Sequence, residues 1–254
     1  MARSEGVRTM EKVTIKGLEK TFFTENSTPV TAIKDMDLSV EAGEFVCIVG
    51  PSGCGKTTFL RILAGLEKPT SGTIAWDGGS SQSTIGFVFQ QHNLLPWRTV
   101  YGNIAYGLEL RGTPQETRDD VVARLVSLMN LSGFERSYPK ELSGGMQKRV
   151  AIARALAIDP DIMLMDEPFV SLDAQTRNIL QMELLKVWAE TKNTIVFITH
   201  NVDEAVFLAD RVVILAPRPT KVKTEVPITL ARPRDRTDAK FTAVRKTILE
   251  QMNF

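Results

Sequence analysis

Residues Gly50-Pro51-Ser52-Gly53-Cys54-Gly55-Lys56-Thr57 satisfy the pattern G-x-x-x-x-G-K-[ST] at every constrained position. No other stretch restricts the fold as strongly. The pattern needs a buried strand in front, a tight glycine-rich turn, and a helix behind whose N-terminus points at an anion. Both flanks are present. Glu44-Phe45-Val46-Cys47-Ile48-Val49 is a short apolar run suited to a buried strand. Thr57 to Gly65 reads as a helix with Phe59, Leu60, Leu63 and Leu66 on its apolar side. Backbone N–H groups of such a turn wrap a polyphosphate. Lys56 then reaches the β- and γ-phosphates and Thr57 ligates Mg²⁺. Gly50, Pro51, Ser52, Gly53, Cys54, Gly55, Lys56, Thr57 and the following Thr58 are therefore the first candidate cofactor-binding set.

A loop of this kind needs a partner that holds the metal. Ile162-Met163-Leu164-Met165-Asp166-Glu167 is an apolar strand ending in two acids. Ligands bind beyond the carboxyl ends of strands in open α/β sheets, which places both acids beside the phosphates. Asp166 takes the metal role, and Glu167 orients or deprotonates the attacking water. Only two histidines are present. His200 ends the β-branched run Thr194–Thr199, where a contact to the γ-phosphate is within reach. His92 lies in a polar loop beside Gln90 and Gln91 and has no assigned task.

The rest of the chain alternates. Val13–Phe22, Met36–Val40, Thr73–Trp76, Ile85–Phe89 and Arg211–Leu215 read as further strands. Asp173–Glu190 and Val202–Leu208 read as helices. From about Thr99 to Ala157 the helical period dominates. Thr113-Pro114 resembles an N-cap followed by Pro at the first helical position, and Val121, Val122, Leu125, Leu128 and Met129 share one face of the helix after it. Strands alternating with helices on both sides of a helical middle predict an α/β domain with a helical insertion. After Leu215 the pattern weakens through the turn Ala216-Pro217-Arg218-Pro219, and Asp235–Met252 reads as a C-terminal helix.

Composition narrows the classes. With 31 Lys and Arg against 30 Asp and Glu, the formal charge of +1 leaves no overall footprint for nucleic acid. Two cysteines, Cys47 and Cys54, make neither a metal site nor a disulfide framework. No stretch approaches 18 apolar residues, and Met1–Arg8 lacks the apolar core of a signal peptide.

Leu142-Ser143-Gly144-Gly145-Met146-Gln147 precedes a helix and forms a second anion cradle of hydroxyl, free N–H groups and helix N-terminus. One nucleotide already has its phosphates wrapped, so a second cradle suggests that another copy of the chain shares it. This stretch matches the signature motif of the ATP-binding subunits of ABC transporters, and the chain resembles that family over nearly all of its length. The order of the other pieces agrees. Gln90 stands at the Q-loop position, Asp166 and Glu167 fit Walker B, Ser171-Leu172-Asp173 fits the D-loop, and His200 fits the switch histidine. Phe22, with Phe23 as its neighbour, stands where the family has an aromatic that stacks on adenine. Ser171 is a small departure, since relatives carry an apolar residue there.

The resemblance implies a P-loop NTPase core of RecA-like type, with an antiparallel β edge subdomain and an α-helical signature subdomain. It divides the chain at about 10–90 and 161–225 for the RecA-like and β parts, 91–160 for the helical part and 226–254 for a C-terminal segment. It implies ATP and Mg²⁺ as cofactors, with Thr57, Gln90 and Asp166 at the metal. Glu167, His200, Gln90 and Lys56 would be catalytic. Ser143, Gly144, Gly145, Gln147 and Asp173 would complete the nucleotide site of a second copy in an ATP-sandwich homodimer. Membrane permease subunits and, indirectly, a solute-binding protein are the implied partners, at the cytoplasmic membrane face. Leu94-Leu95-Pro96-Trp97-Arg98-Thr99-Val100, on the surface that meets the membrane subunit, resembles importers of nitrate, sulfonates and taurine. Trp97 is either a docking anchor or an internal packing residue. Arg232-Pro233-Arg234-Asp235-Arg236 also resembles that subgroup; read without it, the stretch is a solvated basic turn. An exporter or lipid-transport ATPase remains the alternative. A soluble ABC ATPase acting on DNA or ribosomes is disfavoured by the single cassette and the absence of sustained heptads.

Overall fold

The structure, a computed structural model, describes residues 11–76 and 84–252. The N-terminal segment Met1–Arg8 lies outside the described residues. The strands described form two sheets. β1 (Glu11–Phe23), β2 (Pro29–Glu41) and β4 (Ser71–Trp76) make an antiparallel sheet in the order β2-β1-β4. β3 (Phe45–Val49), β5 (Ile85–Val88), β6 (Ile162–Asp166), β7 (Thr194–Ile198), β8 (Arg211–Leu215) and β9 (Val222–Pro227) make the second, in the order β5-β6-β7-β3-β8-β9. Its first five strands run parallel, and β9 closes the edge antiparallel to β8.

Every residue of β3, β6 and β7 is buried, because helices or the other sheet cover both faces. The two-residue period sorts these side chains. Phe45, Cys47, Val49, Met163, Met165, Ile195 and Phe197 join the helical side of the core. Val46, Ile48, Ile162, Leu164, Val196 and Ile198 pack with β1, β2 and the helix α1 (Lys56–Leu63). Each such side chain contributes about 1.5–3 kcal/mol of burial.

The helical middle comprises α2 (Val100–Leu110), α3 (Gln115–Leu128), a short 3₁₀ turn at Pro139–Glu141 and α4 (Gly144–Ala157). Then come α5 (Ala174–Thr191), α6 (Val202–Leu208) and α7 (Ala239–Met252). Lys148 of α4, fully buried, donates to the carbonyls of Phe89 and Gln90 at 3.0 and 3.1 Å and so fastens the helical region to the end of β5. Burial pushes its ammonium down to about 8.

Several boundaries differ from those read in the sequence. β1 extends across a bulge, and Gly17 at φ 55° moves the buried set from Val13 and Ile15 to Leu18. That shift is why the alternation is only partial. Leu66 is 60% exposed, because α1 stops at Leu63 and Gly65 at φ 69° turns the chain away. Pro114 is itself the N-cap residue of α3, so Thr113 does not cap it. The C-terminal helix starts at Ala239, because the Asp235 carboxylate accepts from the Thr237 N–H and folds the preceding residues into a turn. β9 had no clear signal in its sequence.

The largest correction concerns the basic turn. Arg234 is 7% exposed and is not solvated. Its guanidinium Nη1 donates to the carbonyls of Val206 and Ala209 at 2.6 Å, and Nε donates to Leu230 O at 3.0 Å. It thereby satisfies carbonyls that the end of α6 leaves open and sits at the negative end of that helix. Burial, then the neighbouring Arg232 charge, push it down to about 10. Arg232 pairs with Asp210 at 2.6 Å and lies over the Trp188 ring. Arg234→Ala is expected to cost about 2 kcal/mol, read as a lower urea midpoint, by stranding these carbonyls. Arg234→Lys should recover little of it, since one ammonium cannot replace a planar fork.

Candidate functional site

Four neighbouring parallel strands, β5-β6-β7-β3, end on one side of the sheet, and each delivers part of the site. Gln90 follows β5, Asp166 and Glu167 close β6, His200 follows β7, and the glycine-rich loop follows β3. The pairings Val88 with Met165, Asp166 with Ile198, and Ile48 with Ile198 keep these ends level.

The loop is shaped by close approach. A Cβ on Gly50 would meet Leu215 at 3.1 Å and the Cys54 sulfur at 3.3 Å. Gly55, at φ 121°, would meet Ala32 O at 3.2 Å. Cys54 is 2% exposed and fills space beside Gly50. Lys56, also nearly buried, arches over the loop and donates to Gly50 O and Pro51 O, each at 2.9 Å. Two backbone carbonyls at the start of the loop thus hold its ammonium in place.

Thr57 Oγ1 donates to Asp166 Oδ1 at 3.1 Å. Burial raises the Asp166 carboxyl above its ordinary range, and the Thr57 hydrogen bond opposes this. Glu167 has φ 43°, the left-handed region, and its N–H donates to Ile198 O at 3.0 Å. That conformation turns its side chain to His200, whose Nδ1 lies 3.2 Å from Glu167 Oε2. Ser52, Gly53, Gly55, Lys56, Thr57, Thr58, Gln90, Glu167 and Arg218 line a cleft of about 270 Å³. The paired oxygens of Thr57 and Asp166 suit Mg²⁺, which takes one or two protein oxygens beside substrate phosphates.

Arg218 was read only as part of a turn. It comes to the loop by the return of the chain after β8, and donates to Gly53 O at 3.1 Å. No spacing in the sequence signals this approach.

The other candidates do not line this cleft. Phe22 sits at the end of β1, 39% exposed, with the Lys20 ammonium 4.7 Å from its ring centre, and Phe23 beside it is more exposed still. Ser143 is the N-cap of α4, its Oγ accepting from Met146 N at 3.3 Å. Ser143 and Gly144 are exposed. Gly145 packs so closely on Thr176 that a Cβ would meet it at 2.8 Å. Gln147 donates to Pro139 O and Leu142 O, which braces the lead-in to the helix. Asp173 is the exposed N-cap of α5, and its hydrogen bonds from the Thr176 residue hold its carboxyl below the ordinary range. Trp97 is 72% exposed and does not pack internally. His92 lies outside the cleft, and partial burial, with the Lys148 charge second, holds its imidazole below the usual value.

Comparison with known proteins shows which family the chain resembles. Residues 33–170 match the ABC transporter family. The chain is 53% identical over 241 residues to the ABC transporter ATP-binding protein MJ0412 of Methanocaldococcus jannaschii, covering 94% of this chain and 90% of that protein. It is 44% identical to the aliphatic sulfonates import ATP-binding protein SsuB of Bacillus cereus, over 94% of this chain and 95% of that protein. It is 47% identical to the nitrate import ATP-binding protein NrtD of Synechocystis, over 79% and 77%. The dimeric ATP-binding cassette MJ0796 in a post-hydrolysis state bound to ADP and Pi superposes with a TM-score of 0.74 at 33% identity, covering 86% of this chain and all of that one. The family match covers more than half of the chain and the relatives cover most of it at 44–53% identity, and the chain belongs to the ABC transporter family.

Proposed function

We propose that the chain is the ATP-hydrolysing subunit of a membrane importer of small solutes of the nitrate, sulfonate or taurine kind, acting as a head-to-tail homodimer. One observation carries the reading. The four strand ends gather the glycine-rich loop, Gln90, Asp166, Glu167 and His200 on one side of the sheet, while the exposed Ser143-Gly144 helix start lies outside the cleft there. A second copy can offer that helix start to the open side of the nucleotide. The sulfonate and nitrate import relatives support the direction of transport, and the dimeric cassette supports the assembly. Among the described residues no helix is long and apolar enough to cross a membrane, so the translocation path belongs to permease subunits. The exposed Trp97, beside Leu94 and Arg98, is the proposed anchor for them at the cytoplasmic membrane face. A solute-binding protein would deliver the cargo to the permease. We assign the RecA-like and β parts to about 10–90 and 161–225, the helical part to 91–160, and the C-terminal segment to 226–254.

The mechanism follows from positioning and charge, since phosphoryl transfer to water asks little else of a protein. Backbone N–H groups of residues 50–58 hold the β- and γ-phosphates, and Lys56 stands over them. Thr57, Asp166 and the Gln90 side chain would hold Mg²⁺, which would supply positive charge beside the phosphates. Glu167 accepts a hydrogen bond from the attacking water and polarises it. His200, whose Nδ1 lies 3.2 Å from Glu167 Oε2, orients that carboxylate and stands beside the γ-phosphate. Arg218 adds a second positive charge at the rim. Phe22 stacks on adenine. Ser143, Gly144 and Gly145 of the second copy close over the γ-phosphate, and Gln147 and Asp173 support that contact.

Glu167→Gln is expected to lower ATP turnover by about 100-fold or more while ATP binding persists. Gel filtration with ATP and Mg²⁺ should then show an accumulated dimer, and normal turnover by this variant would remove Glu167 from its role. Ser143→Arg places bulk and charge at the helix start. It should abolish ATP-driven dimer formation in the Glu167→Gln background, measured by light scattering.

A further inference from the structure

A buried carboxylate lies behind the cleft and takes no part in the chemistry described above. Glu204 of α6 is 6% exposed. Its Oε2 accepts from Thr199 Oγ1 at 2.6 Å, and Thr199 immediately precedes His200. Its Oε1 accepts from Gln181 Nε2 at 3.1 Å. The Arg177 Nε stands 3.6 Å from the same oxygen, an ion pair too long for a hydrogen bond, and that Nε is buried with no other partner. The other end of the Arg177 guanidinium donates from Nη2 to Leu172 O at 2.7 Å. A cavity of about 30 Å³, room for one water, separates Glu167, Arg177, Thr199, His200 and Glu204.

Leu172 leads on to the other half of the site. A Cβ on Gly144 would touch the Leu172 side chain at 3.9 Å, and Gly145 already abuts Thr176 of the same helix that carries Arg177. The Leu172 turn is thus the floor under the Ser143-Gly144-Gly145 helix start. At its other end the segment begins at Glu167, whose carbonyl accepts from Val170 N. One continuous line of contacts runs from His200 through Thr199, Glu204, Arg177 and Leu172 to Gly144.

We propose that Glu204 is a positioning residue which, through Arg177, holds the Leu172 turn in register with the His200 strand end. The inference rests on the shared-site reading above. His200 serves the nucleotide bound by its own chain, and Gly144 serves the nucleotide of the second copy. The Glu204–Arg177 pair therefore ties the two sites mechanically within one chain. Thr199, at 2% exposure, donates its hydroxyl to the carboxylate and accepts from the Asn201 N–H at 3.0 Å, so the carboxylate fixes its rotamer and with it the strand end. The C-terminal segment reaches the same carboxylate at second hand, because Arg236 donates to Gln181 Oε1 and lies over the Phe207 ring.

The test uses the full chain with ATP and Mg²⁺, with thermal midpoints recorded for every variant. Glu204→Ala and Arg177→Ala should each lower kcat about tenfold and leave KM for ATP within about twofold, because the phosphate loop is untouched. The double variant should be no worse than the worse single one, since both break the same link. Arg177→Lys should recover part of the loss by restoring the charge. In the Glu167→Gln background, Glu204→Ala should raise the ATP concentration for half-maximal dimer formation about tenfold. Glu204→Gln, which keeps the volume, covers the case in which the alanine variant fails to fold. Unchanged kcat and dimer formation in folded variants, with only a lower thermal midpoint, would overturn the proposal, as would independent, multiplying losses in the double variant. A wild-type chain that neither hydrolyses ATP nor yields Glu167→Gln dimers would instead overturn the functional reading beneath it.

Discussion

The parallel pairing of β5, β6, β7 and β3 is the constraint from which the site follows. Each pairing aligns a strand end with its neighbour, so residues 90, 166, 167 and 200, far apart in sequence, meet the loop after β3 on one side. Slippage of one residue in β6 would turn Asp166 from Thr57 and reverse its buried set between the two faces. The dense packing of Phe45, Phe169 and Phe197 on one face, and Phe59, Leu60 and Ile198 on the other, resists that slip. Precision at the cleft is therefore inherited from apolar burial in the sheet, and the polar residues add direction.

How legible this was depended on how far apart the interacting residues lie. The glycine-rich loop, the Ile162–Asp166 strand and the Ser143 helix start are local patterns. Their physics is contained in a few consecutive residues, and the structure has these elements where the sequence has the patterns. The Trp97 side chain was ambiguous, because exposure depends on what other segments do nearby; it proves exposed. Arg234 was misread for the same reason. A basic turn looks solvated until the carbonyls at the end of α6 are brought around it. Arg218 and the Glu204–Arg177 pair carry no local signal at all, since each depends on contacts between segments that only the assembled fold supplies. β9 was hidden because a half-exposed edge strand needs no strong apolar pattern.

Polar ties give direction to the packing of the helical middle on the rest of the chain. Lys148 is one of them, holding the backbone of Phe89 and Gln90 from inside α4. The Arg149 guanidinium, paired with Glu183 of α5, is another. Both residues lie on α4, so a shift of that helix relative to the sheet would be registered at the backbone of Gln90. The helical region thus packs on the sheet through one shared apolar core, and Lys148 and the Arg149–Glu183 pair add direction to that contact.

Cys54 gives the arrangement a built-in gauge. Its sulfur is sealed between Gly50 and the core, and Cys47 is sealed in the sheet below. A thiol buried in this way reacts with an alkylating reagent only during moments when its surroundings open, so its labelling rate counts those openings. The glycine-rich loop therefore carries a clock for its own local unfolding. Anything that tightens the loop, nucleotide above all, would slow it.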